Sequence, residues 1–202
     1  MQRLLDVLAS GIHDTKNQLF IAESLIAAEE AKHQVDLGEA RYAIEAAADR
    51  LSRTLAAYRL LRDGATLAVV PAIIGDLCEE VSLAQKKHLA KAGITLTIDC
   101  QTPNEWPLDR DLVTDMLNNA VQNAGRSARQ AVHLSTHEDE NGLCLRVDDD
   151  GPGFSVLPPP LGTGLLVAER LAQLHVRHGR SGSLLLNNDS ALGGARFELH
   201  LP

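Results

Sequence analysis

Residues 44–62 carry Ile44, Ala48, Leu51, Leu55, Tyr58 and Arg62 at alternating steps of four and three. This is close to a repeat of about 3.5 residues, apolar until its last member, and it favours a coiled-coil-like helical seam. Residues 2 to about 32 are also rich in strong helix formers, with no proline and only Gly11 as an interior glycine. The stretch "HQVDLG" at 33–38 breaks the pattern, and residues 39–63 resume it. Two long helices joined by so short a turn form a helical hairpin. One hairpin cannot bury both of its apolar faces, so the expected solution is a homodimer whose two hairpins make a four-helix bundle.

After "RDGA" at 62–65 the texture changes. Residues 71–91 read as helical again, but β-type segments now follow: "ITLTIDC", "AVHLSTH", "LCLRVDD", "SLLLN" and "ARFELHL". Helical stretches at 109–124 and 164–176 lie between them. The pairs 131–137 with 143–149 and 183–187 with 195–201 have hairpin spacing, which indicates an α+β domain with a mixed or antiparallel sheet. The expected division is therefore 1–65 for the helical hairpin and 66–202 for the α+β domain.

Composition excludes several classes of function. A net charge of −8 argues against sequence-independent nucleic-acid binding, which needs a cationic face. The longest apolar run, "LAVVPAII", is far short of the roughly 20 residues of a membrane span, and Pro71 interrupts it. Asp6 falls within the apolar N-terminal stretch, so no secretory signal is expected. Cys78, Cys100 and Cys144 are far apart, in no metal-ligand spacing, and read as small buried apolar residues of a reducing compartment. The expected location is cytoplasmic.

Three stretches of the second domain carry chemistry. In "DLVTDMLNNAVQNAGRSA", Asn119 and Asn123 lie four apart on one helix face and Arg126 follows within a turn. A carboxamide beside a phosphate-binding cavity can offer its oxygen to Mg²⁺, and a nearby arginine can meet phosphate oxygens; a polar helix surface is the plainer reading. In "LRVDDDGPGF" a strand ends in an acid followed by Gly151-Pro152-Gly153. Asp149 at the mouth of an apolar pocket can accept a hydrogen bond from an adenine amino group, although the same pattern also serves a simple turn. In "PLGTGLLVAERLAQLH", Gly162 and Gly164 open an amphipathic helix whose first amides can bind an anion.

In this order the stretches resemble the ATP-binding fold shared by sensor histidine kinases, DNA gyrase and related ATPases. Asn119 to Asn123 matches the asparagine box, Asp149 to Gly153 the first glycine box, and Gly162-Thr163-Gly164-Leu165 the second. The resemblance covers residues from about 66 to the C-terminus, as an α/β-sandwich domain. It implies ATP and Mg²⁺ as cofactors, with Asn123 on the metal and Asn119, Arg126, Asp149, Gly151, Gly153, Gly162 and Gly164 around the nucleotide. Hydrolytic members of the superfamily carry a general-base glutamate four residues before the metal-binding asparagine. Here that residue is Asn119, which cannot take up a proton, so the domain looks built to hold ATP for transfer.

The stretch "GIHDTKNQLF" at 11–20 is similar to the phosphoacceptor box of histidine kinases. The resemblance implies that His13 accepts the γ-phosphoryl group, that Asp14 orients the ring and takes its proton, and that Asn17 serves dephosphorylation of a response regulator. Lys16 is either a charge-neutralising group or a solvated surface residue. The chain as a whole resembles a histidine kinase core without an attached sensor domain, with a response-regulator receiver domain as partner. Between the glycine boxes stands only "SVLPPPL", and the second box has two glycines where three are usual. That departure carries the alternative, a histidine phosphotransfer adaptor whose degenerate ATP domain binds no nucleotide.

Overall fold

In the computed structural model, residues 2–44, 46–48, 51, 67–102, 105–140, 142–158 and 163–202 are described, except for the side chains of residues 2–10, 12–14, 16, 163 and 164. The chain divides into two compact units, Met1–Ala65 and Thr66–Pro202.

The first unit opens with α1 (Gln2–His33), which runs through Gly11 and ends on Lys32 and His33, where the lysine cation suits the negative end of a helix dipole. A second helix, α2, is helical at residues 38–44, 46–48 and 51. Ion pairs fold the chain back on α1: Arg41 Nη2 lies 2.7 Å from Glu23 Oε1, and Arg41 Nη1 lies 3.3 Å from Glu30 Oε2. Glu30 also accepts the amide of Leu37 at 3.1 Å, which closes the turn. Of the seam residues expected on the second helix, Ala48 is buried, whereas Leu55, Tyr58 and Arg62 lie outside the described residues.

The second unit begins with β1 (Val69–Ile73), paired antiparallel with β3 (Glu105–Asp109) in a two-stranded ribbon. Residues 71–73 are thus a strand end, and the helix expected from residue 71 starts three residues later as α3 (Ile74–Lys91). Its apolar positions Ile74, Leu77, Cys78, Val81 and Leu89 recur at helical spacing and are all buried. The main sheet has the order β2 (Thr95–Cys100), β4 (Ala131–Asp139), β5 (Gly142–Asp149), β9 (Arg196–Leu201), β8 (Ser183–Asn187). Strand β2 runs parallel to β4, and every other neighbour is antiparallel. A parallel neighbour needs a crossover, and the chain supplies it through β3 and α4 (Arg110–Ser127). After the sheet's centre come α5 (Thr163–Leu174) and a short hairpin of β6 (Val176–Arg177) and β7 (Arg180–Ser181).

Helices α3, α4 and α5 pack against this sheet. The buried row Leu134, Val147 and Phe197 crosses β4, β5 and β9 in register, and Leu145 faces Leu199 in the next row. Each such leucine, fully removed from water, contributes about 1.5–3 kcal/mol before entropy is subtracted. Opposite them α4 presents Val113, Leu117, Ala120, Val121 and Ala124. Asp109 fixes the start of α4: its Oδ1 accepts the amide of Leu112 at 3.2 Å as an N-cap, and its Oδ2 accepts that of Ala68 at 2.9 Å. The amide of Asp109 in turn donates to Nε2 of buried His175 at 3.1 Å, while His175 Nδ1 donates to the carbonyl of Leu171 at 3.0 Å. Both ring nitrogens are committed, one as acceptor and one as donor, so the ring is neutral. Burial holds its pKa below the ordinary imidazole range.

Candidate functional site

Alternation along β5 decides where its acids point. Leu143, Leu145 and Val147 lie on the helix-facing side of the sheet, and the same parity continues to Asp149. Cys144, Arg146 and Asp148 take the opposite face. The three consecutive acids therefore meet three environments. Asp148 is buried in an ion pair with Arg196, whose Nε lies 2.8 Å from Oδ1, and it also accepts the amide of Ala191 at 3.3 Å. Asp150 accepts the amides of Arg129 at 2.7 Å and Gln130 at 3.1 Å, tying the end of β5 to the loop after α4.

Asp149 is buried, and both its Oδ1 and its carbonyl oxygen are held by hydrogen bonds. Its Oδ1 accepts the amide of Gly151 at 2.8 Å and that of Ala195 at 3.1 Å. Its carbonyl accepts Ser190 Oγ at 2.8 Å and the amide of Gly194 at 3.0 Å. Among the described residues its Oδ2 takes no hydrogen bond, and Asp149 lines a cleft between α4, the sheet and α5. The other walls are largely apolar or small: Ala120, Ala124, Val147, Phe154, Leu165 and Phe197. One anchored carboxylate with a spare acceptor in an apolar slot suits a flat heterocycle that carries an amino group.

Asn123 joins Asp149 in that lining. Asn119, one turn earlier on α4, is half-buried and outside the lining, and Arg126 is exposed near the helix end. Gly151 is packed so closely beneath the backbone carbonyl of Ser127 that a Cβ would collide with it. Gly153 lines the cleft with φ +74, a conformation that favours glycine, and a Cβ there would also meet Asn188 Oδ1 at 2.8 Å. Gly164 is the second residue of α5, whereas Gly162 lies outside the described residues. In the first unit His13, Asp14, Lys16 and Asn17 all fall within α1. Asn17 is exposed; the side chains of His13, Asp14 and Lys16 lie outside the described residues.

Several contributors to the cleft escape a reading of motifs. Asn188 clamps the turn after Gly153: its Oδ1 accepts the amide of Phe154 at 2.7 Å and its Nδ2 donates to the Phe154 carbonyl at 3.0 Å. Gly194 and Ala195 act through backbone amides alone. The Gly193-Gly194 pair ahead of the last strand is the signal that could have marked them.

No family model matches the chain. Sensor protein kinase CarS of Pseudomonas aeruginosa is 29% identical over 221 aligned residues, which take in 100% of this chain and 47% of that protein. The chain is homologous to sensor histidine kinases. It spans about half the length of that kinase relative. The solved ATP-binding domain of PrrB from Mycobacterium tuberculosis is 26% identical, with a TM-score of 0.56 over 67% of this chain and 97% of that one. Full-length ShkA in complex with AMPPNP aligns at a TM-score of 0.68 and 19% identity, covering 99% of this chain and 45% of its own. The α+β unit thus has the histidine-kinase ATPase fold. No described helix is long and apolar enough to cross a membrane.

Proposed function

We propose that this chain is the phosphotransfer core of a two-component histidine kinase. It binds Mg-ATP in the cleft of its second unit, phosphorylates His13, and passes the phosphoryl group to an aspartate of a separate response regulator, which it also dephosphorylates. The observation that carries this reading is Asp149: Oδ1 is occupied by two backbone amides, and Oδ2 is left for a ligand in an apolar slot. In this reading Oδ2 accepts from the adenine amino group, and Val147, Leu165 and Phe197 flank the ring. Asn123 offers its carboxamide oxygen to Mg²⁺, with Asn119 and Arg126 nearer the phosphates. Gly151 and Gly153 let the backbone approach, and Gly162 and Gly164 present amides at the start of α5.

Mg-ATP, when bound, would supply the γ-phosphoryl group, with Mg-ADP as the leaving group. The chain's own contribution is the nucleophile: His13 provides a neutral ring nitrogen, and Asp14 orients the imidazole and takes up its proton. Asn17, one turn further along α1, serves the reverse direction. Ile21 and Leu25, 61% and 63% exposed on α1, support burial of that face in a homodimeric four-helix bundle.

Titration calorimetry with Mg-ATP tests the reading against the phosphotransfer-adaptor alternative. Saturable binding of one nucleotide per chain supports the kinase, and absence of binding heat together with intact folding supports the adaptor.

A further inference from the structure

The face of the sheet turned away from the nucleotide cleft carries a second constellation. Register places His137 of β4 opposite Cys144 of β5, and Cys144 opposite His200 of β9. A thiol and two imidazoles therefore stand side by side across three strands. The diagonal neighbour Glu198, also on β9, completes the group. One ligand atom from each of Cys144, Glu198 and His200 lies within 4.8 Å of the other two. Cys144 Sγ is 3.9 Å from His200 Nε2, and His200 Nε2 is 2.6 Å from Glu198 Oε1.

We propose that Cys144, Glu198 and His200 form a binding site for a borderline-soft divalent transition metal of the zinc type. This site is independent of the nucleotide cleft and of the kinase reading.

Three arguments carry it. The donor set is chemically matched, since a thiolate, an imidazole and a carboxylate are the groups zinc takes, whereas Mg²⁺ prefers oxygen ligands alone. The separations are also close to what one ion requires. Bonds of roughly 2.0–2.3 Å place the ligand atoms of a tetrahedral site about 3–4 Å apart. The hydrogen bond between His200 and Glu198 opens slightly, and the metal takes the place of the shared proton, which moves to Nδ1 of the imidazole. Finally, Glu198 is already oriented from behind. Its Oε2 is held by Arg146 Nε, which leaves Oε1 turned toward His200 and Cys144. A charged partner on the distal oxygen is the outer contact that fixes a ligating carboxylate.

Binding is a balanced exchange. Burial pushes the Cys144 thiol up to about 12, so without metal it carries its proton, and coordination releases that proton to solvent. His200 coordinates through Nε2 in the tautomer protonated on Nδ1. Water or His137 from the neighbouring strand provides the fourth ligand. Among the described residues, Asp139, Arg146 and His137 are the other charged and titratable groups that act on the site. The ion would staple β5 to β9, the strands that hold Asp149 and lead out of Ala195 on the other face.

The test uses the full chain, stripped with a chelator and titrated with Co²⁺ as a spectroscopic stand-in for Zn²⁺. The expected result is one Co²⁺ per chain, tetrahedral d–d bands and a thiolate-to-cobalt charge-transfer band, with displacement by Zn²⁺. Cys144→Ser should abolish the charge-transfer band, and Cys78→Ser and Cys100→Ser should keep it. His200→Ala, at a side chain about a third exposed, should weaken Co²⁺ at least tenfold and stands in if Cys144→Ser fails to fold. Zn²⁺ should also raise the thermal midpoint of the wild type and leave that of His200→Ala unmoved. Absence of a charge-transfer band in the folded wild type overturns the proposal, as does a band that survives in Cys144→Ser. Co²⁺ held only at the nucleotide cleft would give no thiolate band and counts against it equally.

Discussion

Asp149 Oδ1 accepts the backbone amide of Ala195 at 3.1 Å, so the chain entering the last strand of the sheet holds the acid that ends β5. With the Gly151 amide on the same oxygen, the carboxylate is locked in one orientation before any ligand arrives. Orientation fixed in advance is what lets a single hydrogen bond discriminate between ligands.

Asp149→Asn tests that orientation. The side-chain oxygen of asparagine can keep both amides, but its amino group then replaces Oδ2 and opposes an adenine amino group donor to donor. ATP affinity should fall at least about tenfold, the scale of losing a hydrogen bond to a charged group, while circular dichroism stays unchanged. Unaltered affinity by calorimetry would remove Asp149 from the site.

Gly194→Ala probes the same lock from the other side. A Cβ at Gly194 would sit 2.5 Å from the Asp149 carbonyl oxygen and 2.6 Å from the Gly151 amide nitrogen. The backbone must shift, and the expected cost is about 1–3 kcal/mol in urea unfolding, with weaker ATP binding alongside. Gly179→Ala makes a useful contrast, because its strain comes from its φ of +76 with nothing among the described residues within 4 Å, and it should leave ATP affinity unchanged.

His175 gives the second unit a pH dependence of definite sign. Its folded pKa lies below the ordinary value because burial disfavours the imidazolium, so the unfolded chain takes up a proton at higher pH than the native one. Its contribution to stability is complete above about pH 6.5 and declines as the pH falls toward the folded pKa. Urea midpoints measured between pH 7.5 and 5.5 (roughly one unit either side of that value) should drop less in His175→Gln than in wild type. Equal slopes would mean that His175 does not titrate differently in the two states.

Asn17→Ala separates the two directions of phosphoryl transfer. Asn17 lies within α1, one turn beyond His13 and exposed. The substitution should slow dephosphorylation of the partner regulator more than autophosphorylation. Equal loss of both would refute the division of labour.

Much of the sheet was legible because its strands alternate: "AVHLSTH", "LCLRVDD" and "ARFELHL" fall on β4, β5 and β9, and both expected hairpins pair as read. Strand β1 was not legible. It carries Pro71, which pairs with Pro107 in a two-stranded ribbon where the missing amide protons cost little, and it runs directly into α3. In the cleft, Asp149 and Gly153 were visible as a strand-ending acid and a turn glycine. Gly151 was visible in the same turn, but Gly194 and Ala195 were hidden as partners of Asp149, because they act through backbone amides that no side-chain pattern records. Cysteine spacing along the chain likewise gave no hint of Cys144 beside His200, a neighbourhood made only by register across β5 and β9.

In the proposed function, a nucleotide cleft at Asp149 serves a phosphoacceptor at His13. Incubating the purified chain with Mg-ATP labelled at the γ-phosphate tests it most directly. The expected result is an acid-labile, base-stable label on the wild type that is absent from His13→Ala. No label on the folded wild type, or equal labelling of His13→Ala, would contradict it.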